Sequence, residues 1–437
     1  MSGEAVLSAA LAAADGMADA MTARLAEMVR IPSITGDEGV IQGWAADRMR
    51  EMGLAVREVA VPEDRLLAHP TAVSVPWTWE GRPNIAGLWQ GRGGGRSLIL
   101  DAHVDVVPAE DPSAWSAPPF EPVLREGRLY GRGAADMKGG WVAILWALGA
   151  LREAGFEPGG DITFLSVVEE EAGGTHGTLA CLLDGITADG MIITEPLWSH
   201  VVVGHPGVLY FTVEIEGRST HAALAHRGVS ALYEAMPVLE ALRRLDETRG
   251  REHRMELFER LPGTAGRSVH LNLGRFRAGD WPSTVPGRAV VEGRISWLPG
   301  EEEPEVRSAV EAAVREGASG SKWLREHPPR VGWVGWRGRP WLQDPAHPLV
   351  TLVVESASAE RGEPIALAAD TAGLDARFAG EFGIPCAVYG PHGGNEHGAD
   401  EWVDLESVRS VARTLIRVIH RWCGGAGDPA ETENDGR

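Results

Sequence analysis

Three apolar runs of this chain stop abruptly at side chains that cannot continue into a core. SLILDAHVDVVP carries His103 and Asp105 near its end, DITFLSVVEEE closes on Glu169, Glu170 and Glu171, and GMIITEP closes on Glu195. Continuous apolar runs of this kind mark strands buried on both faces of a parallel sheet. Helical stretches separate them: WVAILWALGALREAG, closed by Gly155, then GTLACLLD. Strands alternating with helices predict a doubly wound α/β sheet, and ligands of such sheets gather at the C-terminal strand ends. The residues that end the runs are therefore the candidates for chemistry.

From about Val208 the texture changes. LYFTVEIEG alternates with period two, and SALYEAMPVLEALRRL, SVHLNLGRF, AVVEGRISW, PEVRSAVEAAVRE and RVGWVGW follow. That β-α-β-β-α-β order predicts a ferredoxin-like α+β domain over 208–338, inserted into the first. At about 130 residues it has an ordinary domain size. The α/β texture then returns in PLVTLVVESASAERG, PCAVYGP and SVRSVARTLIRVIHRW, so residues 1–207 and 339–423 are expected to form one domain. The polar end, 424–437, is expected to be disordered.

Composition narrows the function. The formal charge is −21, with 62 acids against 41 basic residues, a field that repels phosphate backbones and anionic membranes. Nucleic acid and membrane are not expected partners. Cys181, Cys386 and Cys423 are widely spaced and form no CxxC pair, which argues against a disulfide framework or a thiolate metal site. The first residues carry acids where a signal peptide needs bases and read as an Ala-rich helix, so a cytoplasmic protein is expected. Only Lys138 and Lys322 are lysines, and Lys138 falls in the glycine-rich stretch GRGAADMKGG.

His103 and Asp105 lie two apart on a strand and so share a face. Alone, such a histidine is more often structural than a ligand. Asp136, in GRGAADMKGG, has a turn or helix cap as its simpler reading, and three adjacent glutamates are usually a solvated face. Yet several strand ends and one loop offer two histidines, His103 and His397, and several carboxylates to one crevice, without matching bases. Nitrogen and oxygen donors without thiolates suit Zn²⁺, and two imidazole–carboxylate halves sharing one aspartate suit two ions about 3.5 Å apart.

The motifs DAHVDVVP, GRGAADMKGG, VVEEEAGGTHGT, ITEP, EGRSTHAA and HGADEWV, running from IPSITGDE near residue 31 to residue 403, resemble those of the M20 metallopeptidases. That family includes acetylornithine deacetylase, succinyl-diaminopimelate desuccinylase, aminoacylases and glutamate carboxypeptidases. The resemblance implies a zinc-hydrolase catalytic domain with an inserted lid and dimerisation domain. It implies two Zn²⁺ per chain, for which Co²⁺ or Mn²⁺ can substitute: His103 and Glu195 on one, Glu171 and His397 on the other, Asp136 between them. Asp105 would orient His103, and Glu170 would be the general base. The peptide bond after Asp136 is often cis in the family. Glu169 stands where the family usually has Asp, outside the ligand positions.

The same resemblance makes His221, in EGRSTHAA, a histidine that reaches across a homodimer to the scissile carbonyl. Arg294, in VEGRISW, and Arg377, in LDARF, match arginines that grip a substrate carboxylate. Ser283, in WPSTVP, replaces a frequent Asn and has a shorter reach. His176, His205, His226 and His392 lie off the ligand positions; His397 is preferred to His392 because HxxDE follows it.

The activity expected is hydrolysis of the amide of an N-acyl amino acid or dipeptide-like substrate with a free carboxylate. A carboxypeptidase or dipeptidase on the same machinery is the nearer rival. A catalytically inactive, metal-stabilised scaffold is the rival of another class. Glu170 and His221, neither of which would hold a metal, speak against it.

Overall fold

Burial follows the apolar runs closely. In the computed structural model, which describes residues 2–261, 264 and 266–425, the strand Leu98–His103 is buried at every position. Most of the expected tail, 426–437, lies outside the described residues. The chain divides into two units, one formed by Met1–Val203, Gln343–Ala368 and Leu374–Arg437, the other by Gly204–Leu342 and Ala369–Gly373.

The first unit is built on eight strands: β1 (Ala55–Val59), β2 (Asn84–Trp89), β3 (Leu98–His103), β4 (Ile162–Val167), β5 (Met191–Ile193), β6 (His200–Val202), β7 (Ala366–Ala368) and β8 (Cys386–Val388). They lie in the order β1-β2-β4-β3-β5-β8-β6-β7. β4, β3, β5 and β8 run parallel, with His103 opposite Val167, Asp101 opposite Ile193, and Ile193 opposite Val388. Their C-terminal ends therefore open on one edge. The sheet is mixed, because β1 and β2 join it antiparallel and β6 meets β8 antiparallel.

Helix Gly140–Glu153 is buried from Gly140 to Leu151, as its nearly unbroken apolar sequence requires. Its first residue must be glycine, since a Cβ there would come within 2.0 Å of the Thr194 carbonyl oxygen. Trp141 packs against Trp44 and Phe164, with ring centroids 5.4 and 4.9 Å away, and donates its indole N–H to Ser166 Oγ at 3.0 Å. The helix thus packs on Ile162–Val167, the strand that leads to Glu169–Glu171, and its first residue abuts Thr194, next to Glu195.

In the second unit, strands Gly207–Glu216, Leu271–Ala278, Arg288–Trp297 and Arg330–Gly338 form an antiparallel sheet. Leu271–Ala278 and Arg330–Gly338 are its edges. Helices Ala231–Glu252 and Glu303–Ala318 interrupt the strands in β-α-β-β-α-β order. Leu209, Phe211, Val213 and Ile215 are buried while Tyr210 is exposed, the period-two pattern of a sheet covered on one face. The short segment Ala369–Gly373 belongs to this unit through backbone bonds from Ala369 N–H to Leu257 O (2.9 Å) and from Asp370 N–H to Gly204 O (2.8 Å). All three cysteines are free and buried. Among the described residues, no helix is long and apolar enough to cross a membrane.

Candidate metal centre

Each parallel strand delivers its terminal groups to the same edge. His103 ends β3, Glu170 and Glu171 follow β4 in a short turn, Glu195 lies two residues past β5, and His397 lies on the loop after β8. Asp136 sits on the loop that enters helix Gly140–Glu153. Ligand atoms of His103, Asp136 and Glu195 lie within 4.8 Å of one another, and so do those of Asp136, Glu171 and His397. Asp136 is common to both groups.

It faces the two imidazoles with different oxygens. His103 Nε2 lies 3.0 Å from Asp136 Oδ1, and His397 Nε2 lies 3.3 Å from Oδ2. Glu195 Oε1 is 3.7 Å from His103 Nε2, and Glu171 Oε2 is 3.1 Å from His397 Nε2. The other nitrogen of His103, Nδ1, lies 3.0 Å from the Asp105 carbonyl oxygen and 3.4 Å from Asp105 Oδ1, which orients the ring. His392 is in neither group; its ring meets Trp402 edge-on, with centroids 5.1 Å apart.

Asp105 also fastens the glutamates. Its Oδ1 accepts the Glu170 N–H at 3.1 Å and its Oδ2 the Glu171 N–H at 3.2 Å, while Thr35 Oγ1 donates to Oδ2 at 3.0 Å. One buried carboxylate thus ties the end of β3 to the turn after β4.

A second buried carboxylate, Glu401, has no local sequence signal beyond the HxxDE pattern. Glu401 accepts the backbone N–H groups of Gly133 (2.8 Å), Ala135 (3.0 Å) and Asp136 (3.0 Å), and Arg132 Nη1 at 2.6 Å. Gly133, at φ 77°, takes the left-handed turn that points these amides inward. Arg132 Nη2 also donates to the His397 carbonyl at 3.1 Å, so the Arg132–Glu401 pair spans both loops. The Asp136–Met137 peptide bond is cis. Lys138, fully buried, donates from Nζ to the carbonyls of Met28 (3.2 Å) and Ile31 (3.0 Å), and burial pulls it down to about 7.

Charge is the dominant property of the cluster. Burial, reinforced by neighbouring carboxylates, holds Glu170 and Glu195 well above the ordinary carboxyl value. Burial and then Asp136 raise Glu171 to about 7. His397 is raised to about 10 by its bonds to Asp136 and Glu171. Burial opposes charge on His103, but Glu195, Asp105 and Asp136 more than compensate and keep its value well above normal. The all-nitrogen-and-oxygen donor set, divided by a shared Asp136, fits a pair of divalent ions.

Arg377, His221, Ser283 and Arg294 are in neither metal group. Arg377 is 1% exposed, and its guanidinium is held by the carbonyls of Leu374 and Gly173, both at 2.8 Å. Two of its donors are thus engaged with backbone in the interior, and Nη2 also lies 3.4 Å from Asp375 Oδ1. His221, Ser283 and Arg294 belong to the second unit. His221 and Ser283 are exposed and adjoin, the Ala222 N–H bonding the Ser283 carbonyl at 2.8 Å. His221 Nδ1 accepts the Ala223 N–H at 3.1 Å. Arg294 is half-buried and donates from Nη2 to Thr371 O at 3.0 Å.

Strand-end imidazoles and carboxylates in two groups joined by one aspartate mark an α/β protein with a candidate dinuclear metal centre. The chain belongs to peptidase family M20/M25/M40, whose model matches residues 99–421. Members of this family hydrolyse amide and peptide bonds. Among curated proteins, the chain is 28% identical over 415 residues to N-formyl-4-amino-5-aminomethyl-2-methylpyrimidine deformylase of Bacillus subtilis, covering 90% of this chain and 91% of that protein. Among solved structures, the fold matches the dipeptidase Dug1p of Saccharomyces cerevisiae at a TM-score of 0.74 and 16% identity, over 97% and 99% of the two chains. It also matches a dinuclear metal-binding M20 peptidase of Bacillus subtilis at a TM-score of 0.60 and 16% identity, over 93% and 99%.

Proposed function

We propose that this chain is a dinuclear zinc amidohydrolase that removes a small acyl group from an N-acylated amine, with N-acyl amino acids as the substrate class. The observation that carries the reading is the division of Asp136, whose Oδ1 faces His103 and whose Oδ2 faces His397, beside the buried Glu170.

Divalent ions held by these groups would polarise the scissile carbonyl and bring the pKa of a bound water toward about 7. Glu170 takes the proton of the attacking water and returns it to the leaving nitrogen. Burial raises its carboxyl well above normal, which suits a group that must hold that proton between the two transfers. Asp105 keeps Glu170 in place through its backbone amide. Because His221 Nδ1 accepts a backbone N–H, the proton of the neutral ring lies on Nε2, free to be donated to a developing oxyanion. His221 of the partner subunit supplies that bond in a homodimer closed by the second unit, which acts as the lid. Arg294 and Ser283 are the remaining candidates for the substrate's carboxylate, and the enzyme is cytoplasmic.

A second reading concerns the amine side only. Similarity over nine-tenths of the chain to a deformylase named for an N-formyl pyrimidine, together with the interior position of Arg377, favours a neutral heteroaromatic amine with a formyl group. A panel of N-formyl, acetyl, succinyl and aminoacyl amides, each as free acid and as neutral amide, tests both with Zn²⁺ or Co²⁺ present. Turnover that requires the carboxylate supports the first reading. Turnover of formyl heteroaromatic amines that ignores a carboxylate supports the second, and preference for aminoacyl amides points to a dipeptidase. No turnover on any member refutes the amidohydrolase.

A further inference from the structure

Immediately before the turn that carries Glu170 and Glu171 stands Glu169, a wholly buried acid that belongs to neither metal group. Three donors converge on one of its oxygens. Trp77 Nε1 and His176 Nδ1 each lie 2.8 Å from Oε2, and Arg82 Nη2 lies 3.1 Å away. Arg82 is itself 4% exposed and fully committed: Nη1 donates to Glu38 Oε2 at 2.6 Å and Nε to the Thr78 carbonyl at 3.0 Å. Glu38 Oε1 in turn accepts the Gly36 N–H at 3.0 Å.

The backbone of Glu169 is the start of the turn. It has φ 65°, an uncommon conformation for a side chain of this kind, and its carbonyl accepts the N–H groups of Ala172 (3.2 Å) and Gly174 (2.7 Å). The next two amides are taken by Asp105. With the side chain of Glu169 fixed on one side and those amides on the other, Glu170 and Glu171 have little freedom to turn.

We propose that Glu169, gripped by Arg82, is a positioning residue that sets where Glu170 and Glu171 point. This rests on the assignment of Glu171 as a metal ligand and Glu170 as the base. A planar guanidinium can bridge Glu38 and Glu169 with separate nitrogens, which an ammonium cannot reproduce. The plainer alternative is a buried ion pair that contributes only to fold stability, and such pairs are common. The two differ in what happens to the metal.

The test is calorimetric titration of the metal-stripped full chain with Zn²⁺ alone, in wild type, E169Q, R82M and the double variant. Outer partners of metal ligands typically carry 10- to 100-fold of metal affinity or activity. E169Q should therefore weaken one of the two Zn²⁺ equivalents by about that factor and leave the other unchanged, with kcat falling similarly and KM within about twofold. R82M, which also releases Glu38, should lose at least as much, and the double variant should be no worse than the poorer single one, because both changes break the same Arg82–Glu169 contact. If R82M does not fold, R82K replaces it and should show an intermediate loss. Wild-type Zn²⁺ binding in E169Q, or losses that add in the double variant, overturns the proposal. A wild type that binds two Zn²⁺ but hydrolyses no amide would refute the enzymatic reading, while the titrations still decide this one.

Discussion

The carboxylate of Glu401 accepts the backbone N–H of Asp136 at 3.0 Å across 265 positions of sequence. The acid shared by both metal groups is thus aimed by a residue on the far side of the chain, and the same carboxylate anchors the buried Arg132. Replacing Glu401 with Ala should leave Arg132 Nη1 and three backbone amides without their acceptor. A loss of about 3–5 kcal/mol is expected for breaking such a buried pair. Calorimetry should show a lower melting temperature, and metal analysis fewer than two ions per chain. A variant that keeps both properties would show that the loop holds Asp136 without help.

Glu170 lies among the proposed ligands but in neither metal group. Glu170→Gln should retain the metal content of wild type and lower kcat by about 10²- to 10⁴-fold, the range for a lost general base. Loss of metal in that variant would mean that base and ligand have been confused.

His397 and His392 share a loop, yet only His397 reaches Asp136 and Glu171. His397→Ala should release one metal equivalent, whereas His392→Ala should retain both and lose at most the edge-on packing with Trp402. Elemental analysis of the two purified variants separates them, and the opposite pattern would reverse the assignment.

The two arginines should behave differently. Arg377→Ala removes donors from the carbonyls of Leu374 and Gly173, so its cost should appear as lowered stability and as a rate loss equal for acidic and neutral substrates. Arg294→Ala should act selectively, reducing kcat/KM about 10²-fold or more on free acids while sparing esters. Comparing each acid with its methyl ester in both variants is the measurement; ester-selective sparing in the Arg377 variant would restore it as the clamp.

His221 is exposed, and its Nδ1 is engaged by the Ala223 N–H. Its replacement by Ala should cost about 10²- to 10³-fold in kcat with metal retained. If it acts across a dimer, mixing His221→Ala with Glu170→Ala chains should recover activity, because a mixed pair holds one complete set of groups. Mixed dimers that stay at the single-variant level would place His221 in its own subunit's chemistry or outside the reaction.

Local sequence determined the elements and the kinds of groups at their ends. The largely apolar run Leu98–His103 and the alternation of Gly207–Glu216 each specify a strand and the number of faces it buries, since burial on one face or two is written in the period of the side chains. The spacing of His103 and Asp105, and the carboxylates that terminate apolar runs, marked the edge where chemistry gathers. Only the tertiary structure decided which distant residues fix those groups. Glu401 on the Asp136 loop, Arg82 on Glu169, the interior position of Arg377, and the attachment of Ala369–Gly373 to the second unit all depend on strand order and loop paths. Periodicity reports the environment of one segment, whereas a hydrogen bond between residues separated by 265 positions exists only after the sheet has brought both to the same edge.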